Sequence, residues 1–260
     1  MRRIMWSQLY QLKKMRVMWI LFIGITLILL LSVFSMQLNN EPASGSLYAG
    51  QQLPVIFIML TILTGTVSAF VCTNDFSDQT INHEVLSGVS RNQSYFGRAA
   101  AALLVSVLSS LLELGLMVCT ATVLYGWGDQ FPVQTIIGEI LLLTFPLIRL
   151  SAFFVMIAFI LKRPFAVIGV SCAMIYAIMQ AGGTGLFHAR NYFLSGIANA
   201  VYILHTEQFG VFAAGSKDIN YVLLPTVTPG SAAVTAAASL LAAAGWLLLG
   251  CSYFRHDDLK

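Results

Sequence analysis

Between Arg16 and Glu41 the chain carries no charged residue, and from Val17 to Phe34 it reads VMWILFIGITLILLLSVF. Such a run cannot face water. At about 1.5 Å per helical residue it is long enough to cross the hydrocarbon layer of a bilayer, about 30 Å thick. Comparable runs lie at residues 17–36, 53–73, 98–125, 134–161, 165–182 and 231–253. Each is expected to be a helix, because lipid offers no partner for an open backbone N–H or C=O. Composition agrees: 58% of the residues are hydrophobic and 10% charged, against about a quarter charged in a soluble domain. The expected fold class is an all-α membrane protein with six transmembrane helices, and residues 1–260 form a single transmembrane domain without internal repeat.

Lys and Arg fix the expected orientation. Arg2, Arg3, Lys13, Lys14 and Arg16 precede the first run, Arg91 and Arg98 lie between the second and third, Lys162 and Arg163 between the fourth and fifth, and Arg255 and Lys260 after the last. The alternate connections hold only Arg190 and Lys217. Basic residues collect on the cytoplasmic side, so a multi-pass protein of the inner (cytoplasmic) membrane with both termini inside is expected. The first run is too long, and lacks a small-residue cleavage site, for a signal peptide.

Residues 1–16 place Met5, Leu9 and Leu12 at helical spacing, with Trp6 and Tyr10 beside them and basic residues at both ends. The pattern is that of an amphipathic helix lying in the interface between lipid and water, with membrane lipid as partner. Residues 183–230 form a long outer segment in which Ile197, Val201 and Leu204 recur at helical spacing. Short helices at the outer leaflet are expected there.

Motifs for nucleotide, metal or nucleophilic chemistry are absent from the sequence. The sequence has no GxxxxGK[ST] phosphate loop and no HExxH, and His83, His188, His205 and His256 are scattered. Cys72, Cys119, Cys172 and Cys251 lack metal-ligand spacing and read as small packing residues. No catalytic residue, bound cofactor, metal site or nucleic-acid partner is expected of this chain.

Two ionisable residues stand deep within runs: Glu113 in the third and Arg149 in the fourth. Counted from the turn that joins the two runs, they lie at similar depth, so an ion pair between them is expected. It would either staple two helices or line a path. Glu139 lies nearer the outer end. Gly169, Ala173, Ala177 and Ala181 recur at four-residue steps in the fifth run. Such a stripe lets helix backbones approach closely, either within one subunit or against a second membrane subunit.

Between the second and third runs the chain turns polar: NDFSDQTINHEVLSGVSRNQSYFGR, residues 74–98. Ile81, Val85 and Val89 follow at four-residue steps, with Asn82, His83, Ser87 and Ser90 on other faces. A short amphipathic helix hung between two spans is expected. Its bland reading is a solvated interfacial loop.

The part DQTINHEVLSGVSRNQSYFGR resembles the segment between the second and third spans in permeases of the type-2 ABC exporter family, a group with many bacterial drug, lantibiotic and peptide exporters. Asp78, Thr80, Leu86, Ser90, Arg91 and Arg98 stand at the motif positions, while Gly88 and Val89 depart from many members. The resemblance extends to the layout of the chain: a basic interfacial helix, six spans and a long outer segment before the last. It implies a coupling helix that docks on an ATPase through Asp78, Thr80, Glu84, Leu86, Ser90 and Arg91, with Ile81 and Val85 turned toward the membrane domain. It also implies two ATP-binding cassette subunits carrying ATP and Mg²⁺, a second permease subunit that is identical or homologous, and alternating-access export of a peptide, drug or lipid-like amphiphile. Two readings from other classes stand beside it: a membrane scaffold or sensor that moves nothing, and an ion-coupled secondary transporter. The second of these is disfavoured by the scarcity of mid-membrane carboxylates.

Overall fold

A computed structural model describes residues 2–38, 44–77, 80–129, 132–183 and 229–256. Within them the chain is all helical: α1 (Arg2–Lys14), α2 (Arg16–Leu38), α3 (Gly45–Ser77), α4 (Thr80–Leu86), α5 (Arg91–Tyr125), α6 (Val133–Leu161), α7 (Pro164–Gly183) and α8 (Pro229–His256). Asp78, most of the outer segment, and the side chains of Glu139, Ala177 and Ala181 lie outside the described residues.

Among the described residues, three helices are long and apolar enough to cross a membrane: Arg91–Tyr125, Val133–Leu161 and Thr235–His256. Arg3–Lys14 and Arg16–Leu31 make a fourth if the pair, bent by 67°, is taken as one span. The fold is therefore a multi-pass, all-α membrane fold. The bend follows Lys14 and sets α1 across the axis of α2. There the Met15 amide donates to the Leu12 carbonyl at 3.1 Å, and the Trp19 indole closes on the Lys13 carbonyl at 3.0 Å.

α5 shows which solvent the bundle is built for. Leu104, Leu108, Leu112 and Leu116 recur at four-residue steps and are exposed, whereas Ser94, Arg98, Ser106, Ser110 and Glu113 on the opposite stripe are buried. A soluble helix reverses this arrangement. With lipid outside, leucine meets the solvent it prefers and polar groups gather between helices. α3 packs against α5, α6 and α7, and α6 runs along α8.

Close approaches depend on missing side-chain volume. A Cβ on Gly65 of α3 would lie 2.7 Å from the Ser171 Cβ of α7, and one on Gly250 of α8 would lie 2.5 Å from the Tyr95 hydroxyl. That second contact belongs to an aromatic cluster in which Tyr95 packs 4.5 Å from Phe159, and Phe159 packs 5.0 Å from Phe254, centroid to centroid. The cluster joins α5, α6 and α8 at the end of the bundle that carries α4. Lys162, left-handed at φ 54°, closes α6 and lets α7 start at Pro164.

Candidate functional site between α3 and α5

α4 is held by local chemistry at both ends. At its start the Thr80 hydroxyl donates to the Asp75 carbonyl at 3.2 Å. At its end Gly88 takes φ +93°, a value costly for any residue with a Cβ, and the Val89 amide turns back to the Glu84 carbonyl at 3.2 Å. This is the six-to-one bond of a Schellman stop. Two residues later a new helix starts. Ser90, extended at φ −68° and ψ 144°, accepts the Gln93 amide on its hydroxyl at 3.3 Å and caps α5. The sequence SRNQ, residues 90–93, has the spacing of a capping box, a signal for this helix start that is legible in the sequence.

Arg98 lies two turns into α5 and is fully buried. Its Nε and Nη2 donate to Asp75 Oδ2 of α3 at 2.9 and 2.5 Å, and its Nη1 donates to Glu84 Oε2 of α4 at 3.0 Å. Nη1 also meets the Ser94 hydroxyl one turn back, and that hydroxyl donates to Glu84 Oε2 at 3.0 Å. From the other side Gln8 of α1, itself buried, donates through Nε2 to Asp75 Oδ2 at 2.6 Å. One guanidinium thus joins α3, α4 and α5, and Asp75 brings in α1 through Gln8. A buried cation between two carboxylates is strongly oriented, because tilting any of the three breaks a charge-assisted hydrogen bond.

The residues expected to dock a partner divide into two groups. Leu86 is 83% exposed, an apolar side chain standing clear of the protein, and Thr80 and Ser90 are exposed near it. Glu84 instead turns inward to Arg98 and Ser94, and Arg91 reaches across to the carbonyl of Arg255 at the end of α8, at 3.0 Å. Ile81 is buried in the core. Sequence reasoning left Gln8, Asp75 and Ser94 out of the site. The available signal was a pair of opposite charges, Asp75 and Arg98, at the two ends of the polar segment where its flanking antiparallel helices come level.

Residues 4–180 match the family model described as ABC-2 family transporter protein, more than half of the 260 residues. The chain belongs to the ABC-2 transporter family. No curated relative matches the sequence. In this ABC-2 membrane permease, no group of three or more His, Cys, Asp or Glu side chains among the described residues could hold a metal ion.

Deeper in the permease the structure departs from the expected ion pair. Glu113 accepts the Thr26 hydroxyl of α2 at 2.8 Å, and among the described residues no hydrogen bond or ion pair joins it to Arg149. Equal depth fixes height along the helices but not direction around them. The buried stripe of α5 at Glu113 turns to α2, which covers it. The small-residue stripe admits packing either within the subunit or against a second one. Gly169 and Ala173 are exposed and nothing lies within 4 Å of a Cβ placed on Gly169, whereas the close approach of α7 to α3 is made by Ser171.

Proposed function

We propose that this ABC-2 permease is the membrane subunit of an ATP-driven exporter in the inner membrane, with six spans and both termini cytoplasmic. α4 is its coupling helix. Two ATP-binding cassette subunits, which carry ATP and Mg²⁺, dock there, and a second permease, identical or homologous, completes the transporter through the stripe Gly169, Ala173, Ala177 and Ala181, of which Gly169 and Ala173 are exposed. Nucleotide-driven closure of the ATPases moves α4 and switches the bundle between inward and outward forms. The cargo is an amphiphile such as a peptide, drug or lipid-like molecule, with antimicrobial peptides the preferred class.

The observation that supports this reading most is the combination on α4. Leu86 projects outward with no shelter from its own chain, while Glu84, two residues earlier, is bonded to a buried arginine of the membrane domain. A peg on a stiff mount suits force transfer better than it suits a solvated loop. Leu86→Asp tests it: the variant keeps the melting temperature of the parent but loses the co-purifying ATPase and transport. A complex and transport left intact by Leu86→Asp, with Leu86→Arg behaving alike, would sink the proposal.

A further inference from the structure

α1 carries two opposite faces, and only one is used by the protein. Met5, Gln8, Leu12 and Met15 pack inward. Arg3, Trp6, Tyr10, Lys13 and Lys14, at the complementary three- and four-residue spacing, are exposed. Trp6 is 58% and Tyr10 60% exposed, and the Lys14 ammonium stands 4.5 Å over the Tyr10 ring. α1 itself carries no carboxylate, since the first Asp or Glu in the sequence is Glu41, and Asp75, which meets Gln8 on the inward face, is already held by Arg98. Two Trp side chains, Trp6 and Trp19, flank the patch on either side of the bend. Aromatic rings with an apolar body and a polar edge favour headgroup depth, and ammonium and guanidinium groups there seek phosphate.

We infer that the exposed face of α1 is a binding site for anionic phospholipid headgroups, and that occupancy of this site stiffens α4 through Gln8. The inference rests on the cytoplasmic placement of α1 proposed above. The route is short, and from Gln8 onward each step is a hydrogen bond. Gln8 sits on the inward face of the helix whose outward face holds the headgroups, and its amide reaches the same Asp75 oxygen that takes Arg98 Nε and Nη2. Arg98 in turn holds Glu84 of α4. An α1 seated on anionic headgroups keeps Gln8 in place. An α1 that lifts withdraws one of three donors from Asp75 and loosens the arginine that positions α4.

A phospholipid suits this surface better than a protein would. The site is a linear strip of cations interleaved with aromatic rings on a helix bent 67° from the first span, which lays it along the bilayer plane. Each basic residue near an anionic surface is worth about fivefold in attraction at ordinary ionic strength.

The test uses the full-length chain alone in nanodiscs of phosphatidylcholine, or of phosphatidylcholine with phosphatidylglycerol, so failure of the ATPase-docking reading does not affect it. Native mass spectrometry measures retained lipid, and hydrogen exchange measures the amides of residues 80–86. The wild type is expected to retain phosphatidylglycerol in preference, and Arg3→Gln/Lys13→Gln/Lys14→Gln to lose roughly tenfold or more of that preference. Phosphatidylglycerol should slow α4 exchange several-fold in the wild type. Gln8→Leu should keep the lipid preference but lose the effect on α4. Equal retention of the two lipids by the wild type, or by the wild type and the triple variant, overturns the site. An α4 response that is absent in the wild type or survives Gln8→Leu overturns the link, with Gln8→Ala as the check on any packing artefact.

Discussion

The carboxylate of Glu84 lies 3.0 Å from the guanidinium of Arg98, and the two residues are separated by fourteen positions that include a helix stop, a glycine turn and a helix cap. The polar segment is therefore not a slack strap between spans. It is folded back on itself and fastened to the membrane domain by the same arginine that holds the end of α3.

This arrangement ranks three substitutions. Arg98→Met strands Asp75, whose side chain is only 7% exposed, and removing one partner of a buried pair costs about 3–5 kcal/mol. Asp75→Asn keeps an acceptor but discards the charge, and should cost less. Glu84 is 30% exposed, so water screens its loss and Glu84→Gln should cost no more than about 1 kcal/mol. Thermal unfolding of the purified chain in detergent should give that order, with Asp75→Asn and Arg98→Met far from additive in combination. A wild-type melting point for Arg98→Met would show that the buried guanidinium does not hold these helices together.

The two glycines of the α3 and α7 region are expected to behave oppositely. A side chain on Gly65 collides with Ser171 at 2.7 Å, and overpacking of this kind costs about 1–3 kcal/mol. Gly65→Val should lower the melting point by that route, and Ser171→Gly should restore part of it. Nothing lies within 4 Å of a Cβ on Gly169, and Ala is a better helix former than Gly by about 1 kcal/mol. Gly169→Ala should leave the single chain as stable as before or more so. Gly169→Trp adds a sharper reading: an unchanged melting point with a smaller assembly by light scattering if that face meets a second permease.

The same pair marks where sequence patterns stop being informative. Length and apolarity marked the chain as helical and multi-pass, since bilayer thickness and backbone satisfaction leave few alternatives. Val133–Leu161 and the expected run 134–161 nearly coincide. The position of α4 was also legible, because Ile81 falls on an apolar stripe and is buried. What could not be read was direction around each helix axis. Gly169 begins the most regular small-residue stripe, yet Ser171, two residues on and turned by roughly half a circle, makes the close contact. Likewise Glu84 reads as a surface charge on an amphipathic helix, and only its placement beside Arg98 and Ser94 shows that it turns inward. Tertiary packing decides such questions, and a single helix's periodicity carries no record of which neighbour lies on which side.

Glu113 gives the sharpest test of that distinction. It accepts from Thr26 at 2.8 Å, so its role is to hold α2 against α5, an attachment that the Tyr125 hydroxyl repeats on the Val33 carbonyl at 2.8 Å. Interhelical hydrogen bonds of this kind in membranes average about 0.6 kcal/mol and reach about 1.7. Glu113→Gln keeps an acceptor and should be nearly neutral, whereas Glu113→Leu and Thr26→Val should each cost a similar small amount, and the double variant little more than either. Arg149→Met removes a residue only 2% exposed and should be costly by itself. Combined with Glu113→Leu, however, its effect should add within about 0.5 kcal/mol, as for independent sites. Unfolding in mixed micelles measures the four single and two double variants on one scale. A coupling near 3 kcal/mol between Glu113 and Arg149, with none between Glu113 and Thr26, would reinstate the ion pair and make α2 a bystander; the observed geometry requires the reverse.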